Sequence, residues 1–404
     1  MKSIFMASCL LMATMAFAQG FGGQQSSGNM EYSEKFADQN YAGDGKTYHM
    51  VDIYLPKETK DSYPVVIHTY GSAWSQNNSK GSADLNTICA AYLKAGYAVA
   101  TPNHRSASDA IYPAQLHDLK AVARFLRGNA AKYKIDTSFI AMSGFSSGGH
   151  LSSLVATTCG LPEGKSGSVT VDLVGDLGEF TSFSSCIDGA VLWSPPTDIY
   201  TMNPINNFMG SGTYEGAFIG VEREGNKDKW MVASSPYYAS EDDPPVILFH
   251  GTSDQIVNKE QSQELYDSLK NHNVVTELVS VQGGTHGGNE MYVDENLNKA
   301  VAFLNQAREA KATAAVVTPP DTSAQDTAKT DTVPPGIVYD TLPDALPSLR
   351  SLGAVPVTYD VFSLDGTLVS RSSVLNKDAL RPGVYYVVTR TAAGRRDVSR
   401  FVKK

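Results

Sequence analysis

The chain predicts an α/β fold, a mainly parallel sheet with helices on both faces, followed by a small β module. Three observations carry this prediction. From residue 47 to 312, short apolar runs alternate with stretches of helical periodicity. A Thr-, Pro- and Asp-rich stretch, residues 313–349, then breaks the pattern. From 350 to 404 only strand-like runs and turn signals remain.

In chain order, residues 1–18 read as a secretory signal peptide: Lys2 at the start, an apolar run from Ile4 to Phe17, and Ala16-Phe17-Ala18 before Gln19. Cys9 lies inside that segment. Residues 19–46 open Gly/Gln/Ser-rich and read as a flexible N-terminal segment. Thr47 to Leu55 alternates, with Val51, Ile53 and Leu55 on one face of a half-buried strand. Further strands are expected at Pro64–His68, Tyr97–Ala100, Phe139–Met142, Gly189–Trp193, Pro245–Phe249 and Glu277–Val281. Between them the clearest helix is Ala114 to Leu126, where Leu116, Leu119, Ala123 and Leu126 recur at helical spacing. Pro113 and Gly128 bound it as helix ends favour. Such sheets bind ligands at the carboxyl ends of their strands. In the C-terminal module, Val357–Phe362 and Val384–Thr389 are strand-like, with turns at Asp365-Gly366 and Pro382-Gly383.

Charge separates the two parts. The whole chain carries a net −9, yet residues 350–404 hold ten Lys and Arg against four Asp. No basic patch interleaved with aromatics precedes that end, so nucleic acid is not an expected partner. Beyond the first residues no apolar run is long enough to span a membrane. No C-x-x-C or H-E-x-x-H pattern occurs, so neither a metal nor a cofactor is expected. Outside the signal segment the cysteines are Cys89, Cys159 and Cys186. Cys159 and Cys186 bracket a Gly/Ser-rich insertion, and a bond between them would contribute about 3 kcal/mol by restricting the unfolded chain. Three buried thiols acting as small hydrophobes are the alternative.

The chemistry-bearing motif is Gly144-Phe145-Ser146-Ser147-Gly148, between a strand-like run and a segment able to open a helix. Strand, G-x-S-x-G, helix is the context of a nucleophile elbow, in which a tight turn pushes the serine hydroxyl out at the sheet end. Ser146 is therefore the candidate nucleophile, and it needs a base, because a free hydroxyl is hardly ionised at neutral pH. Two later strand ends supply partners in the order Ser, acid, His. Pro245–Phe249 leads to Asp254 through His250-Gly251-Thr252-Ser253. Val279–Val281 leads to His286 within Gly283-Gly284-Thr285-His286-Gly287-Gly288. His286 would take the Ser146 proton, and Asp254 would fix its tautomer. Asp198, after another strand, is the rival acid. His68 and His250 end strands and read as loop supports, and His150 as a packing or hydrogen-bonding residue.

After strand Val65–His68, Tyr70-Gly71-Ser72-Ala73-Trp74 stands where an oxyanion loop belongs. The backbone N–H groups of Ser72, Ala73 and Ser147 are its candidate donors, an ordinary turn being the alternative. Trp74 and Trp230 are candidate substrate contacts. Residues 197–230, with Met202, Phe208, Met209 and Phe218, would either cap a pocket or pack locally.

On these motifs, residues 47–305 resemble the bacterial feruloyl-esterase-like branch of α/β hydrolases, close to hormone-sensitive-lipase-type esterases. Tyr112–Lys120, Phe125–Ala130, Ile135-Asp136, Gly175–Gly178, Pro196–Asp198, Ser235-Pro236 and Gln261-Ser262 add to the match. Two residues depart from it: Tyr70 stands where the family usually has His, and Ser72 where it has Gly. The resemblance implies an α/β-hydrolase fold and a carboxylesterase without a cofactor. It leaves acetylxylan esterase, feruloyl esterase, general esterase and arylformamidase open. The C-terminal module is similar to type IX secretion sorting domains in Tyr359–Gly366 and Leu380–Val387, which implies secretion machinery as a partner; a carbohydrate-binding module is the alternative. Export and a surface-type tail together suit acylated plant cell-wall polysaccharide as substrate. A non-catalytic surface protein with a retained hydrolase shell is the remaining alternative.

Overall fold

In the computed structural model the described residues are 30–81, 84–205, 212–317, 356–363, 368–372, 383–391 and 396–403. Residues 1–29, with the expected signal segment, and most of the expected linker lie outside them, as do Phe208 and Met209. The chain divides into two units, residues 1–309 and 310–404.

The first unit is built on ten strands: β1 (Glu34–Asn40), β2 (Met50–Leu55), β3 (Tyr63–Thr69), β4 (Ala98–Pro102), β5 (Ile135–Phe145), β6 (Glu163–Ser166), β7 (Val169–Asp172), β8 (Ala190–Trp193), β9 (Val246–Gly251) and β10 (Thr276–Val281). Eight of them form one sheet in the order β1-β2-β4-β3-β5-β8-β9-β10. β1, β2 and β4 pair antiparallel, and every pairing from β4 through β10 is parallel. The longest helices of this unit are α1 (Ala114–Gly128), α2 (Ser147–Thr157), α3 (Glu260–Asn271) and α4 (Asp294–Val317).

The central strands are apolar on both sides because helices cover both. Val65, Ile67, Ile140, Met142, Leu192 and Leu248 face one core, with Leu116, Leu119, Leu151 and Leu265 from α1, α2 and α3. Their neighbours Val66, Phe139, Ala141, Val191, Trp193, Ile247 and Phe249 face the other, with Leu297, Phe303 and Leu304 from α4. The alternation fixes register, because a one-residue slip would exchange the two cores. Parallel pairing brings the carboxyl ends of β3, β5, β8, β9 and β10 to one edge.

Two boundaries differ from the sequence reading. Residues 34–40 are not a flexible segment but the edge strand β1, antiparallel to β2 with a register irregularity between Phe36 and Gln39. Glu34-Lys35-Phe36-Ala37-Asp38-Gln39-Asn40 is too polar to show a core pattern, which is how edge strands are shielded from further pairing. At the other end, α4 continues to Val317, past the expected linker start at 313, because Ala310-Lys311-Ala312-Thr313-Ala314-Ala315 is rich in strong helix formers.

The insertion after α2 folds as the β6–β7 hairpin, and Cys159 and Cys186 are bonded. Three cations of α1, spaced about one turn apart, bind its backbone. Lys120 Nζ donates to the carbonyls of Thr158 (2.9 Å) and Leu173 (2.6 Å). Arg124 donates to those of Val174 and Leu177, and Arg127 to those of Ser184 and Cys186.

The second unit contains an antiparallel four-stranded sheet, with β11 (Pro356–Ser363), β12 (Leu368–Ser372), β13 (Gly383–Thr391) and β14 (Arg396–Lys403) in the order β12-β11-β13-β14.

Candidate active site

β5 runs straight into the turn that holds Ser146, and α2 starts at the next residue. Ser146 sits at φ 53°, ψ −124°, a conformation that costs a non-glycine residue about 1–3 kcal/mol. Its surroundings enforce it: the Ser146 N–H donates to the Trp193 carbonyl (2.8 Å), and its carbonyl accepts from His150 N–H (3.0 Å). The flanking glycines are required by contact. A Cβ on Gly144 would lie 2.3 Å from the Gly148 carbonyl oxygen, and one on Gly148 would lie 2.1 Å from that of Thr69.

The loops after β9 and β10 bring the other two groups to the same edge. His286 Nε2 lies 2.9 Å from Ser146 Oγ, and His286 Nδ1 lies 2.8 Å from Asp254 Oδ2. The Asp254 side chain is fully buried and that of His286 only 5% exposed. Phe145 packs its ring against the imidazole, with centroids 4.9 Å apart. The other Asp254 oxygen accepts from the amides of Ile256 and Val257, both at 2.9 Å. Burial would raise the Asp254 carboxyl. Hydrogen bonds from His250 and His286, the His286 charge and the Val257 amide outweigh it and hold the group well below the usual carboxylate range.

His250 is more than a loop support. Its Nε2 lies 2.9 Å from the Val257 carbonyl and 3.4 Å from Asp254 Oδ2, and its Nδ1 lies 2.6 Å from Ser262 Oγ. Two acceptors at Nε2 place an N–H there. The carboxylate is thus held by two imidazoles. The signal was present in the sequence as a histidine four residues before the acid, but only the turn brings it back onto the carboxylate.

The rival acid has another role. Asp198 Oδ1 accepts from the Tyr200 and Thr201 amides and from Ser234 Oγ, closing the turn after β8.

The oxyanion loop departs from expectation in one donor. Ala73 and Trp74 take left-handed φ values of 48° and 55°, and among the described residues no acceptor takes the Ala73 N–H. The Ser147 N–H, at the first position of α2, has no partner within its helix. The Ser72 N–H, however, is not open: it donates to Ser147 Oγ at 2.8 Å. Tyr70, where the family pattern has His, is buried and stacks on His104 with centroids 4.8 Å apart.

Neither tryptophan is an exposed substrate contact; both belong to the core. Trp74 and Trp230 are each 1% exposed. Trp74 stacks on Phe218, and its Nε1 donates to His150 Nδ1 at 3.2 Å. His150 Nε2 in turn donates to the Ala233 carbonyl at 2.8 Å. Met202, Phe218 and Trp230 of the expected cap are all buried, which places these three in local packing.

Known proteins give the same reading of the fold. A family model named BD-FAE matches residues 51–269. A solved structure described as a truncated carbohydrate esterase from gut microbiota is 38% identical. Its TM-score is 0.66, and the match covers 71% of this chain and 99% of that one. A bifunctional GH43-CE protein of Bacteroides eggerthii is 41% identical with a TM-score of 0.64, covering 68% of this chain and 35% of that one. Among curated proteins, a probable carboxylic ester hydrolase, LipM, of Mycobacterium tuberculosis is 25% identical over 235 residues, 58% of this chain and 51% of LipM. The chain spans about half the length of the curated relatives it matches. With more than half of its residues under the family model and this sheet beneath them, the chain belongs to the BD-FAE family of α/β-hydrolase esterases.

Proposed function

We propose that this protein is a serine carboxylesterase that removes acetyl or feruloyl groups from plant cell-wall polysaccharide such as xylan. The observation that carries the reaction is the continuous contact Ser146 Oγ, His286, Asp254, at 2.9 and 2.8 Å. Ser146 Oγ attacks the ester carbonyl carbon as His286 Nε2 takes its proton, and Asp254 holds Nδ1–H and stabilises the imidazolium. The negative charge on the former carbonyl oxygen meets the backbone N–H groups of Ala73 and Ser147. Collapse of the intermediate expels the sugar hydroxyl, which receives the proton from His286. Water, activated by the same imidazole, then releases the acid and restores Ser146.

The likeness to a carbohydrate esterase and to a GH43-CE protein supports a saccharide ester over an amide. The signal-like residues 1–18 and the basic C-terminal module support export to the cell surface, with that module engaging secretion machinery.

The test is turnover of p-nitrophenyl acetate, and acetate and ferulate release from acylated xylan, by the full chain and by Ser146→Ala. Wild-type hydrolysis with a loss of several orders of magnitude in kcat for Ser146→Ala is expected. Equal inactivity of the two would overturn the esterase in favour of a binding protein. Hydrolysis of p-nitrophenyl acetate without release from xylan would overturn the polysaccharide assignment in favour of a general short-chain esterase.

A further inference from the structure

Ser147 holds an unused proton beside the nucleophile. A hydroxyl carries one donor and two acceptor positions. One acceptor position of Ser147 Oγ is filled by the Ser72 N–H at 2.8 Å. Among the described residues no group accepts the Ser147 O–H, and the residue is 1% exposed, so bulk water does not reach it freely. The Ser72 amide belongs to the loop where the sequence places the oxyanion donors, and Ser147 Oγ is its acceptor. A serine one residue after the nucleophile thus engages an amide of the loop expected to supply the oxyanion donors.

The geometry points to Ser147 as a further catalytic residue: its side-chain hydroxyl is an oxyanion donor, with the Ser72 amide acting through it. This rests on the esterase reading above. An N–H bonded to a hydroxyl oxygen polarises the O–H, so the two dipoles reinforce when the proton turns toward an anion. The oxyanion would then be held by the Ala73 N–H, the Ser147 N–H and the Ser147 O–H. In this arrangement the backbone amide of residue 72 and the hydroxyl of Ser147 work as a pair. The opposite role for the same contact is a plug, in which Ser147 Oγ fills the hole and must rotate away before substrate binds. The two roles predict opposite signs for one substitution.

The experiment is steady-state kinetics of the full chain and Ser147→Ala on p-nitrophenyl acetate, with the affinity of each for an arylboronic acid as transition-state analogue. A donor role lowers kcat roughly 10- to 100-fold with KM within about twofold, and weakens the boronic acid by a similar factor. A purely structural loss would not move kcat and the analogue in parallel at constant KM. A kcat for Ser147→Ala equal to or above that of wild type would overturn the proposal and favour the plug. A lower kcat with unchanged boronic-acid affinity would overturn it as well. Should Ser147→Ala fail to fold, Ser147→Thr and Ser147→Val, alike in shape but only one bearing a hydroxyl, carry the same comparison, with the Thr variant expected to be the faster. If wild type itself does not hydrolyse the ester, the esterase reading fails first; an active wild type matched by Ser147→Ala sinks the Ser147 role alone.

Discussion

At the residue scale, Asp254 shows how a buried charge is tolerated. Two amides and two imidazoles surround it, so each oxygen finds donors where water is absent. Its carboxyl is held below its unfolded value of 3.8, so the stability it contributes is fully present above that pH and drains away as pH falls further. We predict that Asp254→Asn lowers kcat by about 10³–10⁴, because the amide disturbs the His286 tautomer. The same variant should also show a flatter loss of stability below about pH 4 than wild type, measured as urea midpoints across the acid range. The meeting of Ser146 and His286 was legible in the sequence because glycines and strand ends mark both residues. His250 and the Ser72–Ser147 bond were not, since each depends on how a loop curls back on itself.

At the element scale, α1 departs from the usual amphipathic helix on its polar side. Its apolar stripe packs on the sheet, but Lys120, Arg124 and Arg127 are also buried and end on carbonyls of the disulfide-closed insertion. Burial first, and the Arg124 charge second, lower the Lys120 ammonium to about 7, with Asp172 opposing. The unfolded chain keeps that proton to about 10.5, so between these values unfolding takes up a proton and stability rises with pH. We predict that the urea midpoint of the wild type climbs from about pH 7 to about pH 10, and that Lys120→Met loses this slope. A wild type whose midpoint stays flat or falls over that interval would show that Lys120 stays charged in the folded state. The sequence reading gave these cations no role, because helical spacing does not reveal which face an insertion later covers. The edge strand β1 was missed for a related reason: one neighbour and an open flank leave no apolar alternation to read.

At the scale of the whole molecule, the proposed catalytic groups Ser146, Asp254 and His286 come from the first unit, after the ends of β5, β9 and β10. Among the residues of α4 whose burial is described, the last buried are Leu304 and Ala307. A chain ending after Val317 should therefore retain kcat and KM on p-nitrophenyl acetate and a thermal midpoint within a few degrees of that of the full chain. A large loss of activity on truncation would mean that the basic β module contributes to the site.

By itself the sequence determined the central strands, the place of the elbow and the chain order of the candidate nucleophile, acid and base, because hydrophobic period and glycine placement are local and survive without a structure. Tertiary structure alone decided which polar atoms pair. It sent Trp74 and Trp230 into the core, joined Cys159 to Cys186, placed two imidazoles on one carboxylate and spent the Ser72 amide on Ser147. Each of these outcomes depends on segments far apart in the chain, or on the curl of a loop, meeting within hydrogen-bond or packing distance, and no pattern of spacing encodes that distance.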